Sequence, residues 1–296
     1  MRKIRTYADL EGPDRSGLGD QLALQHRRVD RRMKAVRTVL AVASGKGGVG
    51  KSFVAATLAS ALARGGGTAG LLDADLNGPT APSLLGLPRR SLSVTNDGVV
   101  PPVDSAGLRV FSTDLLLEDG EPLRWRGPAA ESSVWLGSLE KGAFREFLSD
   151  VSWGELDVLV VDLPPGAQRL VELAELVPKR TRVIGVTIPT SASKAAVARS
   201  LRAAGDRDLP IAGIVENMSG YACGSCGAVG PLHPGDAGDA LARELDLPLL
   251  ARIPFDAAAA ACAERGDMNG LLASRAGQEI AALAERLERL EREGAP

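Results

Sequence analysis

Residues 44–52 read Ser-Gly-Lys-Gly-Gly-Val-Gly-Lys-Ser, and from Gly45 to Ser52 they satisfy G-x-x-x-x-G-K-[ST], the spacing of a phosphate-binding loop. A nucleoside polyphosphate packs several negative charges close together. Holding it takes backbone N–H groups that converge on the phosphates, a helix amino end beneath them, and no Cβ atoms in the way. Gly45, Gly47, Gly48 and Gly50 meet those demands, with Val49 adding its backbone. Lys51 is placed to reach the β- and γ-phosphates, and the Ser52 hydroxyl to ligate Mg²⁺. A further lysine, Lys46, lies inside the glycine run. So near its own loop's mouth, it can point away from its own nucleotide and toward a partner chain.

Two acidic stations complete such a site. Asp73 and Asp75 follow the apolar pair Leu71-Leu72, and Asp162 closes Leu159-Val160-Val161 before Leu163-Pro164-Pro165-Gly166. A carboxylate at a strand end beside the phosphates can hold Mg²⁺ through water or orient an attacking water. Any one of the three could equally be a helix cap or turn former. Their grouping around one phosphate loop favours a site.

The remaining chemistry is sulfur. Cys223-Gly224-Ser225-Cys226 offers two thiolates, whereas a [4Fe–4S] cluster generally takes four, so two copies related by a twofold axis would complete the set. Tetrahedral zinc shared between subunits and a redox couple are the other readings open to a C-x-x-C pair. Cys262, in the alanine-rich run 257–263, is expected to be a small buried side chain. His26 and His233, the only histidines, read as surface residues.

Strands alternating with helices must carry these groups. Apolar runs at Val39–Ala43, Ala69–Asp73, Leu108–Phe111, Leu156–Asp162, Arg182–Ile188, Ile211–Glu216 and Leu249–Ile253 read as strands, the central ones lacking polar alternation, as a parallel sheet covered on both faces requires. Helical patterns at Val54–Leu62, Ser193–Ala204 and Ala237–Leu245 supply crossovers. The expectation is an α/β fold, a doubly wound, mostly parallel sheet with helices on both faces and ligands at the carboxyl ends of its strands. Residues 1–36 read as a partly helical extension and 37–296 as the nucleotide-binding domain. The basic run Arg27, Arg28, Arg31, Arg32, Lys34 and Arg37 is expected on one helix with a solvated face.

At 296 residues, 45% hydrophobic and 24% charged, the chain has the composition of a globular protein with a substantial core. A net charge of −2 argues against a dedicated nucleic-acid surface. The sequence holds no apolar run of about 18 residues that would span a membrane. The acid-containing amino-terminal stretch resembles neither a secretory signal nor a transit peptide, and an odd number of cysteines, three, does not make a disulfide framework. A cytoplasmic protein is expected.

Taken together, the lysine-bearing loop, Leu72-Asp73-Ala74-Asp75 with Gly78-Pro79, Trp125-Arg126-Gly127-Pro128, Asp162 through Gly166, and Glu216-Asn217-Met218-Ser219-Gly220 followed by Cys223 and Cys226 resemble the Mrp/ApbC branch of the deviant-Walker ATPases. The wider class includes MinD, ParA and the nitrogenase iron protein, and the likeness covers roughly residues 36–270. It implies a homodimeric ATPase that receives an iron–sulfur cluster, a [4Fe–4S] cluster bridged between subunits, from scaffold proteins and passes it to apoprotein acceptors. By the same resemblance ATP and Mg²⁺ bind at Gly45–Ser52, Lys46 contacts the partner's nucleotide, Asp75 orients the attacking water and Asp162 senses the γ-phosphate. Asn217 matches the position that recognises adenine, and Pro254 a position lining the base pocket.

The chain departs from its relatives in places. Ala167-Gln168-Arg169 stands where they continue with Thr-Gly-Asp, which removes a hydroxyl and a carboxylate beside Asp162. Phe53 replaces a common threonine at a position its backbone N–H can fill. The competing reading is a MinD- or ParA-like positioning switch whose cysteines bind zinc. Against it, the last helical pattern, Ile280 to Glu293, mixes acids and bases evenly, unlike a basic membrane-seeking helix.

Overall fold

The computed structural model describes residues 18–76, 78–88, 91–116 and 133–293. The Trp125–Pro128 motif lies outside them. Among the described residues ten strands form two sheets. They are β1 (Val36–Ala43), β2 (Ala69–Asp73), β3 (Ser93–Thr95), β4 (Gly98–Val100), β5 (Arg109–Phe111), β6 (Leu156–Asp162), β7 (Thr181–Thr187), β8 (Ile211–Ala222), β9 (Val229–Gly230) and β10 (Leu249–Asp256). The helices are α1 (Leu18–Met33), α2 (Lys51–Arg64), α3 (Ala81–Leu84), α4 (Ser133–Asp150), α5 (Gln168–Leu176), α6 (Ser191–Gly205), α7 (Ala237–Leu245), α8 (Ala257–Glu264), α9 (Met268–Ala273) and α10 (Arg275–Glu293).

The main sheet runs β10-β8-β7-β1-β6-β2-β5 with every neighbouring pair parallel, while β9 pairs antiparallel with β8 and β3-β4 make a separate hairpin. From β1 the chain passes beyond β6 to β2 and β5, returns to β6, then crosses β1 to β7, β8 and β10. The reversal beside β1 opens the crevice in which such sheets bind ligands. Alternation along β1 shows why its run is apolar throughout. Leu40 and Val42 pack into a core with α2 and α10, and Val39, Ala41 and Ala43 into a second core with α4, α5 and α6.

The basic amino-terminal helix is part of that second core. Val29 and Met33 are buried, and Arg32 Nε donates to the Ser149 carbonyl of α4 at 3.2 Å. Arg37, expected on the same helix, lies beyond it. The helix ends at Met33, and Arg37 is an exposed residue of β1 facing Asp157 at 3.5 Å. The terminal helix α10 buries Ile280, Leu283, Ala284 and Leu287 against the first core, so its apolar stripe is spent on packing. Among the described residues no helix is long and apolar enough to cross a membrane.

Strand β8 runs well past its expected end at Glu216. Beyond Glu216, which pairs with Thr187 at the end of β7, it continues to Ala222 against β10 and the short β9. Asn217, Ser219 and Gly220 disguise this stretch as a turn. Met218 does adopt a left-handed φ of +52°, but strand pairing resumes after it.

Candidate functional site

β1 ends at Ala43, and the chain turns through residues 44–50 into α2, which begins at Lys51. Gly48 and Gly50 take φ values of +77° and +75°, a region where a Cβ is strained. Gly50 is the N-cap of α2 and offers no side-chain cap, which leaves the first-turn N–H groups to a ligand. Gly45 is needed for a different reason. A Cβ there would lie 2.0 Å from the Ala196 carbonyl carbon of α6. Gly47 and Gly48 face open space, where a Cβ would have no neighbour within 4 Å, so an anion can approach their backbone.

Sheet register gathers the acids. Asp162 of β6 pairs with Val42 of β1 on one side and Asp73 of β2 on the other, so both carboxylates arrive beside the loop at the carboxyl edge. Lys51 and Asp162 are both buried and form an ion pair, and Lys51 Nζ also lies 3.4 Å from Ser52 Oγ. Burial raises the Asp162 carboxyl above its ordinary range and the Lys51 charge opposes that rise. Its second oxygen, Oδ2, is buried and accepts no hydrogen bond among the described residues. An orphaned carboxylate oxygen beside a lysine and a serine hydroxyl suits a Mg²⁺-bound water or a γ-phosphate hydroxyl. The donor set therefore fits Mg²⁺ with a polyphosphate, held by Ser52 and the Asp162 side.

Asp73 is employed differently. Its Oδ1 accepts from the Asp75 N–H at 3.2 Å, and its Oδ2 from the N–H groups of Thr80 and Ala81 at 3.0 and 3.1 Å and from Ser112 Oγ at 3.3 Å. It thereby folds the 74–81 loop and starts α3. Burial, then the neighbouring Asp162, push its carboxyl up to about 7. Asp75, half-buried, is held by that loop near the Asp162 carboxylate. Lys46 is half-buried and has no ion-pair partner among the described residues, and its carbonyl accepts from Ser44 Oγ at 3.1 Å.

Asn217 is buried beneath the phosphate loop, donating from Nδ2 to the Val49 carbonyl at 2.9 Å. A Cβ on Gly50 would come within 2.2 Å of that nitrogen. Its register partner on β10 is Ile253, and the adjacent Pro254 is buried and lines a cleft of about 520 Å³ with Ser219, Arg275 and Glu279.

The cysteines occupy the tip of the β8–β9 hairpin. Cys223 N–H donates to Ala228 O at 2.9 Å and Gly227 N–H to Cys223 O at 2.8 Å, with Gly227 at φ +71° closing the turn. The N–H groups of Ser225 and Cys226 point at the Cys223 sulfur and hold its thiol below the usual range. Cys226 is exposed and Cys223 half-exposed. Among the described residues no third His, Cys, Asp or Glu joins them, His233 included. Exposed apolar side chains surround the turn. Tyr221 and Phe255 stack with ring centroids 6.4 Å apart, beside Val229, which pairs with Ala222 across the hairpin.

One sheet thus carries a phosphate loop with a buried lysine and aspartate at the carboxyl ends of β1 and β6, and a two-thiol turn at the tip of β8, on the far side of β7. The family model of ParA, described as NUBPL iron-transfer P-loop NTPase, matches residues 35–288. The chain belongs to this family. An iron–sulfur cluster carrier protein of Methanocaldococcus jannaschii is 36% identical to this family member over 90% of the chain and 89% of the relative. Its counterpart in Saccharolobus solfataricus is 37% identical over 81% and 78%. A cytosolic Fe-S cluster assembly factor, the NUBP2 homolog of Dictyostelium discoideum, is 36% identical over 79% and 87%. The solved nucleotide-binding protein from Archaeoglobus fulgidus in complex with ADP superposes with a TM-score of 0.69 at 32% identity, over 82% of this chain and 92% of that one. MinD of Aquifex aeolicus, at 21% identity and TM-score 0.56, shares the fold over 85% of this chain and 97% of that one.

Two features of this family member escaped the sequence. Arg169, expected to mark a loss of polar groups, is itself buried among Glu140, Glu172 and Phe144. Its pairing with Glu172 follows the i,i+3 helical spacing and was readable, whereas Glu140 comes from another helix. The aromatic stack beside the cysteines depends on the β8–β10 register, which pairs Tyr221 with Phe255. Cys262, expected to be buried, is half-exposed on α8, where Arg265 Nη2 lies 3.5 Å from its sulfur.

Proposed function

We propose that this protein is an ATP-hydrolysing iron–sulfur cluster carrier, in which two copies bind one cluster through Cys223 and Cys226 of each and pass it to apoproteins. The observation that carries the reading is the cysteine turn. Two accessible thiols, one stabilised as thiolate by backbone N–H groups, supply half of a cluster's usual ligand set and follow a rim of exposed Tyr221, Phe255 and Val229. That rim suits burial against a second copy, which would bring the missing pair. The relatives' names, cluster carriers and cytosolic assembly factors, support the same cargo.

The nucleotide would bind with its phosphates over Gly45–Ser52 and its adenine toward Asn217 and Pro254, with Phe53 adding its backbone N–H. Mg²⁺, when bound through Ser52, neutralises phosphate charge as it develops. Lys51 orients the β- and γ-phosphates. Asp162, freed from Lys51 as the phosphates take that lysine, contacts the γ-phosphate side, and Asp75 orients the attacking water. Lys46 reaches across the dimer to the partner's nucleotide. Asn217 lies on β8 and Cys223 directly follows that strand, about 20 Å of chain away at the usual rise of a strand. A shift at the phosphate loop is therefore transmitted along one strand to the cysteines.

The test is transfer. Protein reconstituted anaerobically with iron and sulfide is mixed with an apo-ferredoxin, and cluster arrival is read from the acceptor's circular dichroism. Transfer from the wild type, none from Cys226→Ala, and an altered rate with ATP are expected. A wild type that holds no cluster contradicts the reading.

A further inference from the structure

Arg169 is a buried charge to which neither the nucleotide nor the cysteines assign a task. It donates from Nη1 to Glu172 Oε2 at 2.7 Å and from Nη2 to Glu140 Oε2 at 3.0 Å, and its guanidinium carbon sits 5.9 Å from the centre of the buried Phe144 ring. Arg145 Nε lies 3.5 Å from the other oxygen of Glu172. Two arginines and two glutamates thus form an ionic cluster between α4 and α5. Apolar side chains would join two helices without the cost of desolvating ions, so what the cluster adds is a fixed geometry.

The place it fixes is informative. Between Asp162 and Arg169 runs a short loop that is already tied to the phosphate-loop side. Leu163 N–H donates to Val42 O at 3.2 Å and Gly166 N–H, at φ +98°, to Ser44 O at 2.8 Å. At the far end, α5 starts from Ala167, which provides no side-chain cap. Arg169, in the first turn of α5, supplies the missing restraint by gripping α4. The loop that follows Asp162 is strung between the phosphate loop and α4.

We propose that Arg169 is a positioning residue for nucleotide hydrolysis, its ionic clamp to Glu140 and Glu172 holding the loop that follows Asp162 in register with the phosphate loop. This rests on the ATP-hydrolysing reading above. Released from the clamp, the loop keeps its two backbone ties and the nucleotide still binds, but the segment that follows Asp162 is no longer held for the chemical step.

The experiment measures ATP affinity, with a fluorescent ATP analogue, and phosphate release for the wild type, Arg169→Gln, Arg169→Lys, Glu140→Gln and Glu291→Gln. Glu291 makes a half-buried ion pair with Arg182, at 2.8 Å, at the opposite end of the sheet from the phosphate loop. In Arg169→Gln and Glu140→Gln we expect kcat to fall about tenfold, a loss of roughly 1.4 kcal/mol, with affinity kept within about twofold. Arg169→Lys should keep part of the kcat lost in Arg169→Gln, and Glu291→Gln should match the wild type. Should Arg169→Gln fail to fold, Glu140→Gln decides, since it removes the more exposed end of the clamp. Unchanged kcat in Glu140→Gln, or an equal fall in Glu291→Gln, overturns the proposal while leaving the carrier reading intact. A wild type that binds no ATP analogue overturns both.

Discussion

The side-chain amide of Asn217 donates to the Val49 carbonyl at 2.9 Å, so the strand that leads into the cysteines is fastened to the underside of the phosphate loop. Removing the amide in Asn217→Ala leaves a buried carbonyl without that donor, at a cost of about 1–3 kcal/mol. Urea denaturation of the apo-protein should show that loss, and ATP affinity should fall with it. A variant as stable as the wild type would mean that the bond does not support the loop.

The loop's glycines should separate by mechanism. Gly45→Ala sets a methyl 2.0 Å from the Ala196 backbone and should lower the melting temperature strongly. Gly47→Ala meets nothing within 4 Å and should melt within about 0.5 kcal/mol of wild type while binding ATP more weakly, because the methyl occupies the space the phosphates approach. Equal melting of the two variants would contradict this division.

Asp73 makes apo-stability depend on pH. Its carboxyl titrates near 7 in the fold, raised by burial and by Asp162, and at an ordinary value of 3.8 in the unfolded chain. Between those values the folded state keeps a proton that the unfolded state has released, so this group's contribution falls as pH rises through the window and levels off above it. Denaturation midpoints of the wild type from pH 4.5 to 7.5 should carry this downward component, and Asp73→Asn should lose it. An identical pH slope in the variant would refute the assignment.

The cysteines should differ in reactivity against their exposure. Cys223 is the less exposed, but two N–H groups favour its thiolate, and the thiolate is the nucleophile. Alkylation of the metal-free protein with iodoacetamide, followed by mass spectrometry from pH 6 to 9, should modify Cys223 first, with the gap widest at low pH. Faster modification of Cys226 throughout would show that the turn does not act on the sulfur.

Much of this was legible in the chain itself. The phosphate loop announces itself because its chemistry demands fixed residue types at fixed spacing, and the buried strands because parallel sheets leave no polar alternation. The strand end at Asp162 was also plain, since the apolar run stops there. What stayed hidden arises from long-range pairing. Residues 217–222 look like a turn until β10 and β9 come alongside, and Asp73 reads as a metal station until the N–H groups of Thr80 and Ala81 fold back onto it. Arg169 looked like a lost acid because its partner Glu140 lies on α4, far away in sequence.

The central claim is that Cys223 and Cys226 of two chains hold one cluster. Iron, acid-labile sulfide and native mass should be measured on protein reconstituted anaerobically, for the wild type and Cys223→Ala. About four iron and four sulfide per dimer, absent from the variant, is the predicted result. About one zinc per dimer with no visible chromophore, or iron retained undiminished in Cys223→Ala, would contradict it.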